Sequence, residues 1–167
     1  MMENPDPIKT LMERHIGLVD ELDLLKITID RLKKRFSPHL IEALKRETLS
    51  FLKSMEHHIR CEEEALFPVL EVALGSKREQ TISMVRDHSN LKEEIERLRT
   101  LITNLEIENL EECKKIINLV DTIIASLTDL FSRHINNEEN HLFKLAKEVL
   151  PEKELIEIEK RMQGIEE

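Results

Sequence analysis

The 167-residue chain contains no Trp and no Tyr, and only 3 Gly and 2 Cys. Without the aromatic and β-branched runs that build strands, a sheet is excluded. With so little glycine the chain has few turns, so its elements must be long. Cys61 and Cys113 form no C-x-x-C. That spacing argues against a thiolate zinc site and a disulfide framework, and it suits a reducing compartment. There is no apolar run of about 18 residues to span a membrane, and no signal-peptide pattern. A soluble, cytoplasmic protein is therefore expected. Nor is there a basic stripe: the formal charge is −9. Nucleic acid, which needs cations against its phosphates, is excluded as a partner.

What is present is charge and helical periodicity. Charged residues make up 35% and hydrophobic residues 40%. Leu11, Leu18, Leu22, Leu25, Ile29 and Leu32 recur at three- and four-residue steps, the amphipathic pattern of a helix that starts after Asp6 with Pro7 at its first position. Ser37-Pro38 stops this helix and starts a second, which carries Leu44, Phe51, Met55, His58, Glu62, Leu66 and Leu70 inward and ends at Gly75. Pro68 is expected to bend its last turns. Ser76 with Glu79 reads as a capping box for a third helix through Met84, His88, Leu91, Ile95, Leu98 and Ile102. Asn109 with Glu112 reads as another, opening a fourth through Ile116, Val120, Ile123, Leu127, Leu130, His134, Glu138 and His141. A short helix is expected after Pro151. The fold expected is all-α: one domain over 1–167 with its core in 6–149, an up-down-up-down antiparallel four-helix bundle with a short C-terminal helix.

One ten-residue pattern occurs twice, H-I-x-x-E-E-x-x-L-F, from His58 to Phe67 and from His134 to Phe143. Its His and Glu stand four residues apart. On a helix that is about 400° of rotation and about 6 Å of rise, so the two side chains share a face. Such a pair is by itself an ordinary surface contact. The duplication and the turn positions point inward instead. His15 and His58 lie symmetrically about a point beside Ser37-Pro38, Glu62 and His88 about Gly75, and His88 and His134 about a point near Asn109. Antiparallel hairpins folded there bring four histidines to one height. His15 and His88 also open matching H-x-x-L-x-x-E stretches, so each half is one helix with a lone histidine followed by one with His-x-x-x-Glu.

Four imidazoles and two carboxylates around a common centre would hold two metal ions if the carboxylates bridge. The donor set suits iron, and also manganese or zinc. His141, one E-x-x-H step after Glu138, is placed at the border of the site; His39 and His57 are placed toward solvent. The single E-x-x-H does not make a ferritin-type site, which needs two. Cys61, one turn from His58, is read as a small half-buried residue before a redox thiol. Met12, Met55 and Met84 precede the site histidines and are read as core that can also line an apolar pocket.

With these residues in this order, and with E-E-x-x-L-F-P from Glu62 to Pro68, the chain resembles the hemerythrin-like, or HHE cation-binding, family over His15 to Phe143. The resemblance implies a non-haem centre of two iron ions, bridged by the two glutamates and by an oxo or hydroxo group. It implies metal ligation by His15, His58, Glu62, His88, His134 and Glu138, and a small diatomic ligand, O2 or NO. Two positions depart from the oxygen-carrying hemerythrins. Lys92 stands where their third helix has a second histidine, and Glu139 stands where their fourth has aspartate. The four-His, two-Glu set is similar to that of bacterial di-iron proteins that repair iron centres. Two functions are thus expected: binding or sensing O2 or NO, or handling iron, and, as the alternative, an enzyme-like role in iron–sulfur repair or reduction of small oxidants.

Overall fold

A computed structural model of the protein describes residues 6–165. Among these the structure is helical throughout, with no strand. Four long helices form the body: α1 (Pro7–Lys34), α2 (Pro38–Arg60), α4 (Glu79–Thr103) and α5 (Leu110–Asn137). Each of α2 and α5 continues through one π-helical turn into a short helix. The first π turn is Cys61–Leu66, leading to α3 (Phe67–Leu74); the second is Glu138–Leu142, leading to α6 (Phe143–Val149). The helix α7 (Glu152–Gln163) follows Pro151.

The starts and stops are local chemistry. The Asp6 carboxylate accepts from the Lys9 N–H, and Pro7, which needs no donor, takes the first position of α1. Asn109 Oδ1 accepts from the Glu112 N–H at 3.1 Å and caps α5. Gly75 closes α3 at φ +59°, a left-handed conformation that glycine adopts without strain. The Ser76–Glu79 capping box does not form. The turn after Gly75 runs on to Lys77, whose N–H bonds Leu74 O, and α4 begins only at Glu79. Thr81 anchors that start instead: its hydroxyl is 2.9 Å from both Glu71 Oε1 and the Arg78 carbonyl.

Helix α1 packs on α2 and α5, and α4 packs on α5 and α2. Along the α1–α2 contact Thr28 meets Glu47, Glu21 meets Ser50 and Arg14 meets His57, so residue numbers fall on one helix as they rise on the other. Asp121 of α5 pairs with both Lys26 and Lys33 of α1, and Glu139 meets His15. The core divides into two clusters. One, rich in Leu and Ile, fills the end around Leu25, Phe51, Ile95 and Val120. The other gathers Leu11, Leu66, Phe67, Met84, Phe143 and Ile158 at the opposite end. A buried polar layer of His15, His58, Glu62, His88, His134 and Glu138 belongs to neither.

A candidate metal centre built by two π turns

The two glutamates of the repeat sit at the entrance of the two π turns. The Phe67 N–H bonds the Glu62 carbonyl, and the Phe143 N–H bonds the Glu138 carbonyl, five residues back in each case. In an α-helix, residues five apart diverge by about 140°. The i→i+5 bond stacks them, so glutamate and phenylalanine share one face. Pro68 lacks the donor an α-helix requires there, but Lys144 occupies the matching place in the second copy. The proline therefore accompanies one π turn and is not what makes them.

The six side chains meet. His58 Nε2 is 2.7 Å from Glu62 Oε1, and His88 Nε2 is 2.9 Å from Glu62 Oε2. His15 Nε2 is 3.0 Å from Glu138 Oε2, and His134 Nε2 is 3.4 Å from the same oxygen. One donor atom from each of His15, His58, Glu62, His134 and Glu138 lies within 4.8 Å of the others. His88 stands outside that group of five and joins it through Glu62. All six residues are buried.

Short as these contacts are, they lack the direction of hydrogen bonds. Nε2 of all four histidines, and both carboxylate oxygens of Glu62 and Glu138, have no hydrogen-bond partner among the described residues. Each such buried orphan costs about 1–3 kcal/mol. A fold sustains so many together only if something they all face compensates for them. Imidazole nitrogens and carboxylate oxygens converging without thiolates are the donor set of a first-row metal, and a cation fits them.

The outer nitrogens are treated differently. His15 Nδ1 lies 2.8 Å from Glu139 Oε1, and His88 Nδ1 lies 2.9 Å from Glu63 Oε1. Lys92 Nζ donates to both oxygens of Glu63, at 2.9 and 2.7 Å. Asp87 stands 3.9 Å from His134 Nδ1, beyond hydrogen-bond reach, and acts on it through charge. Aromatic rings complete the walls. Phe143 stacks on His15 with centroids 5.7 Å apart, and Phe67 on His88 at 5.6 Å. Phe131 lies 5.8 Å from His15, 6.2 Å from His58 and 6.0 Å from His134.

Electrostatics couples the set. Burial opposes the charged form of His15, but the Glu138 and Glu62 carboxylates outweigh it and hold its pKa up at about 10. Glu62 is 3.8 Å from His15 Nε2, too far for a hydrogen bond, and contributes as a charge. Burial likewise opposes the imidazolium of His134, and Asp87, Glu138 and Glu62 raise its pKa well above the ordinary value. His88 is raised by Glu62 and Glu63 against burial. Burial pushes the Glu62 carboxyl up, yet His58, His134 and His15 hold it well below its usual range.

Two histidine placements, His141 and His57, differ from the sequence expectation, and His39 lies in solvent as expected. His141 is exposed, its Nδ1 3.2 Å from the Asn137 carbonyl. The second π turn rotates the helix past the centre there. Ala65, its counterpart, is buried because α7 covers the first π turn. His57 is buried, not solvent-facing: Nδ1 is 3.4 Å from Arg14 and Nε2 is 3.2 Å from the Ile165 carbonyl. His39 is exposed. Cys61 is fully buried, with Arg14 Nη1 2.9 Å from its sulfur. Met55 and Met84 are core, and Met12 is partly buried. The outer carboxylates Glu63 and Glu139 join the site beyond the six expected residues, and the second E of the repeat marks both in the sequence.

Comparison with known proteins decides the family. The Hemerythrin HHE cation binding domain matches residues 6–146. The chain belongs to the hemerythrin HHE cation-binding family. An iron-sulfur cluster repair protein, YtfE of Musicola paradisiaca (strain Ech703), is 28% identical over 145 residues. The match covers 85% of this hemerythrin-family chain and 63% of the relative, so the chain spans less than two thirds of that protein. No helix among the described residues is long and apolar enough to cross a membrane.

Proposed function

We propose that the chain is a single domain, an up-down-up-down antiparallel four-helix bundle that holds two non-haem iron ions. The ligands are His15, His58, Glu62, His88, His134 and Glu138, with the two glutamates bridging. The observation that carries this reading is the buried layer of nitrogens and oxygens that approach to about 3 Å yet have no hydrogen-bond partners among the described residues. When bound, the metals supply a redox-active Lewis-acidic centre with coordination positions the protein does not fill. This chain's residues fix the imidazoles, set their protonation and keep bulk water out. The bound ligand is O2 or NO, or the iron itself is what the protein handles, in a cytoplasmic setting.

A second reading is repair of damaged iron–sulfur centres, and the similarity to a protein named for that activity favours it. Metal analysis of protein purified without added metal is expected to give two irons per chain; a stably metal-free protein that refuses ferrous iron would sink the proposal. Stopped-flow mixing of the diferrous protein with O2 and with NO distinguishes a lasting adduct from rapid oxidation. Failure to restore a damaged iron–sulfur enzyme would remove the repair reading and leave the first.

A further inference from the structure

The two copies of the repeat hold each other's halves. His88, the lone histidine of the second half, is approached at Nε2 by Glu62, hydrogen-bonded at Nδ1 by Glu63 and stacked on by Phe67. All three residues come from the first copy. His15, the lone histidine of the first half, is approached at Nε2 by Glu138, hydrogen-bonded at Nδ1 by Glu139 and stacked on by Phe143. All three come from the second copy.

We propose that Glu63 and Glu139 are positioning residues, each fixing the orientation and tautomer of the lone histidine of the opposite half. This role presupposes the two-iron centre proposed above. A carboxylate can only accept, so Glu139 places the His15 proton on Nδ1 and leaves the Nε2 lone pair for the centre. Glu63 does the same for His88. A carboxylate on the far nitrogen also raises the basicity of a metal-bound imidazole. Among the described residues His58 and His134 have no such partner on Nδ1. The π turns are the device that permits this. Each lets consecutive glutamates serve one imidazole from both sides, while its phenylalanine closes over the ring face. The H-x-x-x-E-E-x-x-x-F spacing thus encodes two ligands for its own half and a clamp for the other.

The test uses the full chain with Glu63→Ala, Glu63→Gln, Glu139→Ala and Glu139→Gln. Glutamine keeps an acceptor oxygen and loses the charge. Iron release to a ferrous chelator is expected to quicken about 10–100-fold in each alanine variant, and less in each glutamine variant. In zinc-loaded protein, the downfield Nδ1–H proton resonance of His15 is expected to vanish in Glu139→Ala and persist in Glu139→Gln. The His88 resonance should stay put in the Glu139 variants and respond to the Glu63 variants. General loosening of the bundle would disturb both resonances together and would overturn the inference. So would wild-type release rates in both alanine variants of a protein whose wild type carries two irons. A wild type that takes up no iron would overturn the di-iron reading itself, a separate failure.

Discussion

His88 Nε2 and Glu62 Oε2 meet at 2.9 Å across the boundary between the two halves of the chain. Glu62 reaches His58 with its other oxygen, so one carboxylate ties α2 to α4 at the centre. Glu62→Ala is therefore expected to lose iron while the helices persist. In protein stripped of metal, the substitution also leaves the imidazoliums of His15 and His134 short of a buried counter-charge. Removing one member of a buried ionic set costs about 3–5 kcal/mol, and urea unfolding at neutral pH reads it. Retention of both irons in Glu62→Ala would contradict the bridging role.

The same charges give the metal-stripped protein a defined pH window. The folded pKa of His15 is raised to about 10 from an ordinary 6.5. Its contribution is fully present below 6.5 and is lost as pH rises through 10. The folded pKa of Glu62 is depressed below its ordinary 4.5, so its contribution is present above 4.5 and is lost as pH falls through the folded value. Stripped protein should melt highest between these ordinary values and progressively lower toward pH 10. Metal uptake runs the other way, since ligation requires imidazole without its extra proton; adding zinc at pH 7 should release protons in a pH-stat. A melting temperature unchanged from pH 6.5 to 10 would refute the assignment.

How the sequence carried this site is visible in particular residues. The inward runs of α1 and α4 were legible because Leu18, Leu22, Leu91 and Ile95 keep the helical period without interruption, and all are buried. The six site residues converge because turns at Ser37-Pro38, Gly75 and Asn109 set the levels of the helices. What stayed hidden was a change of period. A π turn is an i→i+5 bond in a helix otherwise read at 3.6 residues per turn, and no single residue type announces it. Counted at 3.6 residues per turn, His141 falls at the edge of the site while Glu63 and Glu139 fall off its face. His57 was misplaced for another reason: Arg14 and the Ile165 carbonyl that cover it come from distant parts of the chain.

Phe131 precedes His134 by one turn and lies against three of the four histidines. It is buried as a member of the Leu- and Ile-rich cluster, at the point where that cluster meets the polar layer. Phe131→Ala is expected to cost about 3–5 kcal/mol in urea unfolding, through lost transfer energy and the cavity left behind. The opening beside His15, His58 and His134 should also speed iron release to a chelator. Phe131→Leu keeps most of the volume and should cost under about 1.5 kcal/mol with slow release retained. Equal release from the two variants would show that the ring does not shield the centre.

Cys61 stands beside a site glutamate, yet its setting is that of a sheltered thiol. It is fully buried, and burial pushes its pKa up against the opposing pull of Arg14. Helix α7 packs on the π turn that carries it, with Ile158 and Met162 in the same apolar cluster. The thiolate, which is the reactive form, is thus both disfavoured and covered. A maleimide should label intact protein slowly at Cys61 and at Cys113, at rates set by opening of the fold. Truncation after Pro151 removes α7 and should accelerate labelling at Cys61 selectively, because Cys113 sits in the other core cluster. Cys61→Ala should retain iron, since the sulfur lies outside the group of donor atoms that converge on the centre. Rapid labelling of Cys61 in the intact chain, or iron loss in Cys61→Ala, would instead make the thiol a working part of the site.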